Sequence, residues 1–521
     1  MKNGTEIKAL LGLLAGLAVA LGGGCAAGPN YHTPKPDTPP AFVSSAAANT
    51  AAATTSAGTA PAAAAADPAT WWRALSDPEL NSLVERAIKS NPDVEIALTR
   101  LQQARNYEAV VAGHALPEVD ASGAAGRGTG SDLARGRAEQ GLVSADNATG
   151  LQHINTLAGF DAVWELDIFG KYRREFEAAR YDRQAAAAAR YGVITSLIAD
   201  VVRAYIDLRG LQIRAGVLRS ASTVLRESLR IVNIRYERGI TNELDVELAK
   251  RELDTLEAQI APVDAEVNAS QYTLAVLLGE YPENIVHELS VAALIPSMPA
   301  PVAPGAPLDL LKRRPDIQQA ERDLASATAR IGVATANLFP QVALVGAIGS
   351  QSQGWGTLPN ISKHIWSFGP AALWPLLDFG ALDAEVNIAH LEAHASLVSY
   401  RKTILSAVQQ VDAALDGYAA QQDRLKYLGD AMVAGQRAVD LANARYNRGL
   451  TDFLNVVDAE RQFYDLQEQY AEAQVTQGEQ FVELYKSLGG GWQGYQDVPA
   501  IRRPQPAIIA AFRRTLSRSA P

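Results

Sequence analysis

Apolar residues recur at steps of three and four along much of this chain, which is the spacing of one face of an α-helix. One such stripe covers 204–236 and departs from its small or apolar character only at Ser222. A second stripe covers 414–446 and keeps the same phase. A repeat of about 3.5 residues sustained over this length predicts long helices that wind around partner helices in a coiled-coil manner.

The spacing of proline supports this prediction. Proline breaks helix interiors, and it is absent from 118–261 and from 376–498. The segment 172–238 contains 67 residues. As one continuous helix it would reach about 100 Å. A rod of that length has too little core of its own and must bury its stripe against other helices.

Each stripe ends at an Arg-Tyr-x-Arg-Gly sequence, which places glycine at Gly239 and Gly449. Cations in the last turn followed by glycine are typical of a helix end. Thr241 and Thr451 follow, and either hydroxyl is expected to cap the next helix. The pattern therefore predicts a helical hairpin in each half of the chain, with its turn at the glycine.

These hairpins belong to an internal duplication. Pro92 and Pro117 recur at an offset of 223, as Pro315 and Pro340. The Trp…Phe-Gly sequence that begins at Trp164 recurs at an offset of 210. A period above 200 residues indicates a duplicated domain half and not a solenoid unit. The offset changes between Pro117 and Trp164, so that segment tolerates length change as a loop does.

Between the prolines and the Phe-Gly pairs, the period changes to two. Apolar and small or polar residues alternate over 160–166, 342–348 and 366–374. Strict alternation predicts strands, and their length suits a membrane β-strand of about 9–11 residues. Aromatic residues such as Trp366 and Phe368 fit a bilayer interface. An ordinary soluble hairpin is the alternative that this pattern alone leaves open.

The number of strands helps to decide between membrane strands and a soluble hairpin. Beyond the N-terminal segment the sequence contains no run of 18 apolar residues, so no transmembrane helix is predicted. Two β-hairpins supply four strands, which cannot close, and lipid does not tolerate open sheet edges. If these strands cross a membrane, several chains must share one barrel, and three chains would supply twelve strands.

The N-terminus predicts export. Lys2 and Lys8 precede an apolar run of 13 residues over 9–21, and three glycines then lead to Cys25. This is the order of a secretory signal, and the run is too short to span a bilayer. Cys25 is the only cysteine, so no intrachain disulfide is possible. A cysteine at this place resembles a bacterial lipoprotein signal, and we expect acylation at Cys25.

Composition excludes further classes of protein. The formal net charge is -10 with scattered lysines and arginines, which gives no nucleic-acid footprint. No enzyme constellation is present, and we predict no catalytic residue. His390 and His394 share a helix face, but the metalloprotease pattern needs Glu directly after the first His. A solvated helix face is the favoured interpretation, so no metal and no cofactor are predicted apart from a covalent lipid on Cys25.

The predicted organisation follows from these boundaries. It comprises a signal peptide (1–24), a lipidated N-terminus with a flexible Ala-rich tether (25–68), a first repeat with a β-hairpin at about 118–168 and a long helical hairpin (69–290), a second repeat with a β-hairpin at about 341–378 and a long helical hairpin (291–490), and a C-terminal tail (491–521).

Several motifs together carry a family resemblance that covers about 25–490. They are Cys25 with Gly28-Pro29-Asn30-Tyr31, Trp71-Trp72 with Asp77-Pro78, Trp164-Glu165-Leu166-Asp167-Ile168-Phe169-Gly170, Arg313-Arg314-Pro315-Asp316-Ile317, Ala329-Arg330-Ile331-Gly332-Val333-Ala334 and Phe339-Pro340. In this order and spacing the chain resembles the TolC-like outer-membrane factor family, specifically its lipoprotein branch of drug-efflux outlets.

The resemblance implies a mainly α fold with a small β-barrel part. Three chains would complete a twelve-stranded barrel in the outer membrane of a Gram-negative bacterium and an α-helical tunnel across the periplasm. The implied function is a passive efflux duct whose partners are a periplasmic adaptor and an inner-membrane pump. A non-pore structural lipoprotein or coiled-coil adaptor of the periplasm remains the alternative.

The resemblance also implies roles for residues at the hairpin turns. Adaptor docking falls on Gly239, Ile240, Gly449 and Leu450. The periplasmic gate falls on Leu454 and Asp458, with a link between neighbouring hairpins at Asp245 and Tyr446. In a trimer Asp458 would form an acidic ring and Leu454 an apolar one, and such rings favour cations or gate by dewetting. For the docking residues, the alternative is that glycine only ends the helix. For Asp458, the alternative is a solvated position on the helix surface.

Overall fold

The structure is a computed structural model, and it describes residues 26–35, 39, 41–43, 67–127, 154–299, 307–353 and 364–497. The predicted signal peptide, Cys25, the Ala-rich stretch 44–66 and the tail beyond 497 lie outside these residues.

The described chain is mainly helical, and its long elements alternate with two pairs of strands. In chain order the elements are α1 (Pro78–Ser90), α2 (Pro92–His114), β1 (Glu118–Arg127), β2 (Ile154–Leu166), α3 (Lys171–Glu237), α4 (Glu243–Leu278), α5 (Pro282–Glu288), α6 (Pro307–Arg313), α7 (Pro315–Ala336), β3 (Gln341–Gln353), β4 (His364–Leu373), α8 (Ala381–Asn447) and α9 (Phe453–Ser487). Short 3-10 helices at Pro68–Leu75 and Gln493–Tyr495 flank them.

The two predicted helical hairpins are confirmed as α3–α4 and α8–α9. Both α3 and α8 contain 67 residues, as expected of duplicated elements. The first stripe is largely buried, but Tyr236 is 44% exposed because it lies in the last turn of α3. In the second stripe Ala414 and Tyr418 are buried, whereas the positions from Gln421 to Ala442 are only partly covered.

Compact units within the chain cut across the sequence repeat. One unit combines the N-terminal segment, Leu101–Ala187 and Gln318–Thr403, and the other combines Asp37–Arg100, Ala188–Ile317 and the chain from Ile404 onward. Each unit thus takes segments from both halves. Neither half of the duplication folds as a domain by itself.

The first unit contains one antiparallel sheet in the order β1-β2-β3-β4. The two predicted strand pairs are therefore confirmed, and β2 pairs with β3 to join the hairpins of the two repeats. The strands contain 10, 13, 13 and 10 residues. In this sheet β1 and β4 each pair on one side only, so the backbone groups on their outer sides find no partner within it.

The register sorts the side chains of the sheet into two different faces. Phe160 pairs with Ile348, which pairs with Trp366. These three residues share a face with Val119 and Phe368, and all five are more than half exposed. The opposite face carries mainly small and polar residues, including Asp120, Ser122, Asp161, Ala347 and Ser367, together with Val163 and Val345. The sheet is thus amphipathic, with its apolar face uncovered.

Both copies of the Trp…Phe-Gly sequence fold alike beside this sheet. The indole of Trp164 donates to the carbonyl of Ala115 at 3.0 Å, and the indole of Trp374 donates to that of Leu338 at 3.1 Å. Asp167 then accepts hydrogen bonds from the first amides of α3, and Asp378 does the same for α8. The duplicated sequence therefore encodes a duplicated strand-to-helix junction.

In the second unit, a core of large aromatic residues packs the 3-10 helix Pro68–Leu75 against the end of α9. Trp71 stacks on Tyr485 with ring centroids 5.4 Å apart, and Trp72 is 1% exposed. Arg209 on α3 is also buried. Its guanidinium donates to Glu79, Gln212 and the carbonyl of Val291, which satisfies a charge that burial would otherwise penalise.

The helix α3 also bears on the prediction that no helix can cross a membrane. It contains an 18-residue window with mean hydropathy 1.4. Length and composition alone therefore qualify one described helix, although it contains no unbroken run of 18 apolar residues. That window is 56% buried inside the protein, and Leu197, Ile198 and Tyr205 of α3 belong to the aromatic core, so we interpret α3 as a core helix.

Candidate functional site

Apart from Cys25, which lies outside the described residues, the predicted site residues lie at the turns of the two helical hairpins, within the second unit. Gly239 and Gly449 both have φ of 70°, where side chains are strained and glycine is not. The backbone amide of Gly239 donates to the carbonyl of Tyr236. The backbone amide of Ile240 donates to the carbonyl of Arg235 at 2.9 Å. Gly449 and Leu450 repeat these bonds. Both helices thus end in Schellman motifs.

The residues that begin the next helices differ from the prediction. Asn242, and not Thr241, caps α4 by accepting from the amide of Asp245 at 3.1 Å. Asp452 occupies the cap position of α9 without a side-chain cap bond. The two threonine hydroxyls instead bond side chains one turn further on. Only Asn242 therefore provides a side-chain cap, and the sequence alone did not distinguish it from Thr241.

An apolar cluster lies beneath the two turns and contains residues from all four helices. Its members are Val232 of α3, Ala249 of α4, Tyr446 of α8, and Phe453, Val456 and Val457 of α9, with Leu229, Val246 and Ala442 packed against them. We call it the tip cluster. It packs the two hairpins together within one chain.

Tyr446 joins the tip cluster to a polar group. Its ring lies under the guanidinium of Arg235 at 4.4 Å and 5.2 Å from the ring of Phe453. Burial raises the pKa of the Tyr446 phenol, and the Thr241 hydroxyl and Arg235 oppose that rise. Thr241 in turn donates to the carboxylate of Asp245. The structure therefore brings Asp245 and Tyr446 together within one chain, around Thr241.

The predicted gate residues lie on the first turns of α9. Leu454 is 56% exposed, so it lies outside the tip cluster even though Phe453 beside it is buried. The Asp458 carboxylate accepts from Arg461 at 3.0 Å and from Gln462 at 2.8 Å. Sequence reasoning missed Arg461, although its i,i+3 spacing from Asp458 was a usable signal. The cation of Arg461 offsets part of the negative charge of Asp458.

Exposed apolar side chains surround the turns. Ile240 and Leu450 are 60% and 63% exposed, and Leu244 at the start of α4 is 64% exposed. Arg238 and Arg448 flank the two glycines and are also exposed. Large apolar side chains held open to solvent at a rigid turn are typical of a protein contact site.

Comparison with known proteins decides the class of this chain. The family model described as outer membrane efflux protein matches residues 83–280 and 306–490. The chain belongs to this family. Nodulation protein T of Rhizobium leguminosarum bv. trifolii is 30% identical over 472 residues, which cover 90% of this chain and 95% of that protein.

Two further relatives agree with the family. The antibiotic efflux pump outer membrane protein ArpC of Pseudomonas putida is 30% identical over 432 residues, covering 82% of this chain and 86% of that protein. The solved structure of the outer-membrane channel OprN shares 34% identity with a TM-score of 0.76, and the match covers 90% of this chain and 100% of OprN. The chain is thus an outer-membrane channel of an efflux system in a Gram-negative bacterium.

The comparisons and the structure also concern the predictions about enzyme activity and metal binding. The relatives are channel and efflux proteins and not enzymes. The two histidines considered as a metal pair, His390 and His394, both lie exposed on α8. Within the described ranges, no group of three or more His, Cys, Asp or Glu side chains is arranged to hold a metal ion.

Proposed function

We propose that three copies of this chain form one passive duct that carries small molecules from a periplasmic adaptor and an inner-membrane pump across the outer membrane. The observation that carries the proposal is the amphipathic sheet of four strands. Its outer strands β1 and β4 have unsatisfied edges, and hydrocarbon makes each unpaired backbone group cost several kcal/mol. Pairing β4 of one copy with β1 of the next removes the edges, and three copies give a closed barrel.

The faces of the sheet support this arrangement. The face with Phe160, Ile348 and Trp366 suits lipid, and the opposite face with Asp120 and Asp161 suits water. An antiparallel sheet of a soluble protein would instead cover its apolar face with other elements. The ordinary soluble hairpin that the alternation left open is therefore the weaker interpretation.

The turns of the helical hairpins are the proposed docking and closing region. Ile240 and Leu450 offer exposed apolar side chains to the adaptor, while Gly239 and Gly449 fix the turn geometry. Leu454 is the proposed apolar constriction and Asp458 the proposed acidic ring. Because Arg461 pairs with Asp458, closure rests more on the packing of Leu454 than on charge.

The test is the oligomeric state and the conductance of the purified full chain. We expect a trimer that resists heating in detergent and that conducts ions in planar bilayers. The Leu454→Ala, Asp458→Ala variant serves as a control, because it separates a closed channel from a protein without a pore. A monomer, or a trimer for which neither protein conducts, would favour the non-pore structural lipoprotein.

A further inference from the structure

A carboxyl group is buried in the hairpin region, one turn along α9 from the tip cluster. Glu460 is 2% exposed, although glutamate is almost never fully buried unless it is paired. Its position follows Phe453, Val456 and Val457 at helical spacing and precedes Tyr464, so it occupies the face of α9 that packs inward. An apolar residue would be expected there from the period alone.

The surroundings of Glu460 come from all four helices and contain no cation partner among the described residues. On α8, the amide of Asn443 donates to Oε1 of Glu460 at 3.4 Å. Ser228 on α3 faces the carboxyl with its hydroxyl, Glu252 on α4 faces it as a like charge, and Tyr464 lies one turn on along α9. These groups form a polar layer, which we define as Ser228, Glu252, Asn443, Glu460 and Tyr464.

This polar layer lies between two apolar clusters, and Leu229 of α3 packs against both of them. The tip cluster lies on one side. On the other side is a second cluster that includes Leu225 of α3, with Leu253 and Leu256 of α4. Arg251 lies 3.9 Å from Glu252 but is 60% exposed, so its charge remains in solvent. A charged Glu460 is therefore held between apolar clusters beside another acid, and only the polar groups of Asn443 and Ser228 offset the cost of burial.

Burial raises the pKa of Glu460, and Glu252 raises it further, while Asn443 and Ser228 oppose the rise. The packed arrangement therefore favours the protonated carboxyl. Below the ordinary pKa of glutamic acid, about 4.3, the group is neutral in both the packed and the loosened arrangement. As pH rises above that value, the loosened arrangement releases its proton first, so the packing loses free energy until pH passes the raised pKa.

We propose that Glu460 is a proton-sensitive latch, which keeps the two helical hairpins packed when it is protonated and weakens their packing when it is charged. The closed duct then opens more readily as pH rises. The inference rests on the proposed duct function for its effect on conductance, but its effect on packing is independent of any pore.

The experiment compares the wild type with Glu460→Gln, which keeps the shape of the protonated side chain and cannot ionise. Asp465→Asn is the matched control, because Asp465 is an exposed carboxylate on the same helix. For each full-length protein the melting temperature and the open probability in planar bilayers are measured between pH 5 and pH 8. We expect the open probability of the wild type and of the control to be higher at pH 8 than at pH 5, because the packed arrangement loses free energy as pH rises.

For Glu460→Gln we expect a low open probability at both pH values and a melting temperature that falls less with pH than that of the wild type. The latch is overturned if Glu460→Gln keeps the wild-type pH dependence of melting. It is also overturned if the variant lowers melting equally at pH 5 and pH 8, because that is a plain loss of packing. If no protein conducts, including Leu454→Ala, Asp458→Ala, the duct function fails instead, and melting alone decides the latch.

Discussion

Arg174 illustrates how one buried cation fixes a segment that has no secondary structure. Its side chain is 5% exposed. It donates to the carbonyls of Ala27 and Gly28 and to the side chain of Asn30, at 3.0, 3.2 and 2.8 Å. Gly28 has φ of 82°, and a Cβ there would lie 2.5 Å from Cα of Gly332. The chain just after Cys25 is therefore seated against α3 and α7 by charge-assisted bonds and by a close backbone approach.

The same segment reaches the junction between β2 and α3, where the amide of Ala27 donates to the carbonyl of Phe169 at 2.9 Å. If β2 crosses the outer membrane, the chain emerges from lipid close to this bond. A lipid carried on Cys25 would then enter the membrane beside the sheet without breaking the hydrogen bonds of Ala27 and Gly28. This is the residue-scale reason to expect acylation here.

We therefore predict that Cys25→Ser abolishes labelling of the protein by radioactive palmitate. The protein should remain in the outer membrane, because the sheet itself holds it there and Arg174 does not depend on the lipid. Labelling and membrane fractionation check both parts, with Ala52→Ser in the Ala-rich stretch as the control. Palmitate retained by Cys25→Ser would place the modification on another residue.

At the scale of elements, the two helical hairpins are equivalent in length but differ in how they are held. Arginines of α3 pair with acids of α4 along the first hairpin, at Arg214–Glu266, Arg219–Asp264 and Arg226–Glu257. The second hairpin has Arg424–Glu472 at 3.9 Å. Exposed pairs of this kind each contribute about 1 kcal/mol or less. The two hairpins therefore differ in their ion pairs more than in stability.

The exposed turn residues lead to a prediction about the adaptor. Changing Ile240 and Leu450 together to Asp should remove chemical cross-linking to the adaptor, because a charge replaces apolar contact area while the glycine turns remain. The oligomeric state should not change. Leu441→Asp is a suitable control, since Leu441 is equally apolar and 64% exposed but lies on α8 before the turn. Undiminished cross-linking of the double variant would place docking elsewhere.

The gate is tested by removing its two ring residues. Leu454→Ala with Asp458→Ala should raise single-channel conductance and should make cells sensitive to large antibiotics such as vancomycin, because both the apolar and the acidic constriction are lost. Leu454 is exposed and lies outside the tip cluster, so the fold should survive. Leu441→Ala provides the comparison. Conductance that stays at the closed level of the wild type would mean that the gate is formed by other residues.

Sequence periodicity predicted these elements well, because the period of each element is set by which face it buries. It could not predict where residues 26–35 bind. An extended segment has no period, and its hydrogen bonds go to residues more than a hundred positions away. The resemblance did mark Gly28 and Asn30 within that segment. The polar layer was also missed, although Glu460 interrupts an apolar stripe of α9 and was in principle visible. The contact of Thr241 with Asp245 required coordinates, whereas the i,i+3 spacing of Arg461 from Asp458 could have been read from the sequence.

At the scale of the whole molecule, the decisive property is that one chain leaves its sheet unfinished. The edges of β1 and β4 and the apolar face with Phe160 and Trp366 are all uncovered within the described chain. Other copies and lipid would cover both. A chain of this kind is expected to reach its final stability only on assembly in a membrane, because the free energy from those surfaces is absent in the single chain.

Two neighbouring residues of β4 test this directly, because they lie on opposite faces of the edge strand. Phe368 is on the apolar face and Ser367 on the polar face, and both are exposed in the single chain. Phe368→Lys should prevent formation of heat-resistant trimers, since a lysine facing lipid costs about 2–4 kcal/mol near the bilayer midplane. Ser367→Lys places the same charge toward water, so trimers should persist with altered ion selectivity. Trimer yield after heating in detergent and reversal potentials in planar bilayers measure the two effects. A greater loss with Ser367→Lys would mean that the faces of the sheet are assigned the wrong way round, and equal trimer yields would contradict a sheet with one lipid face and one water face.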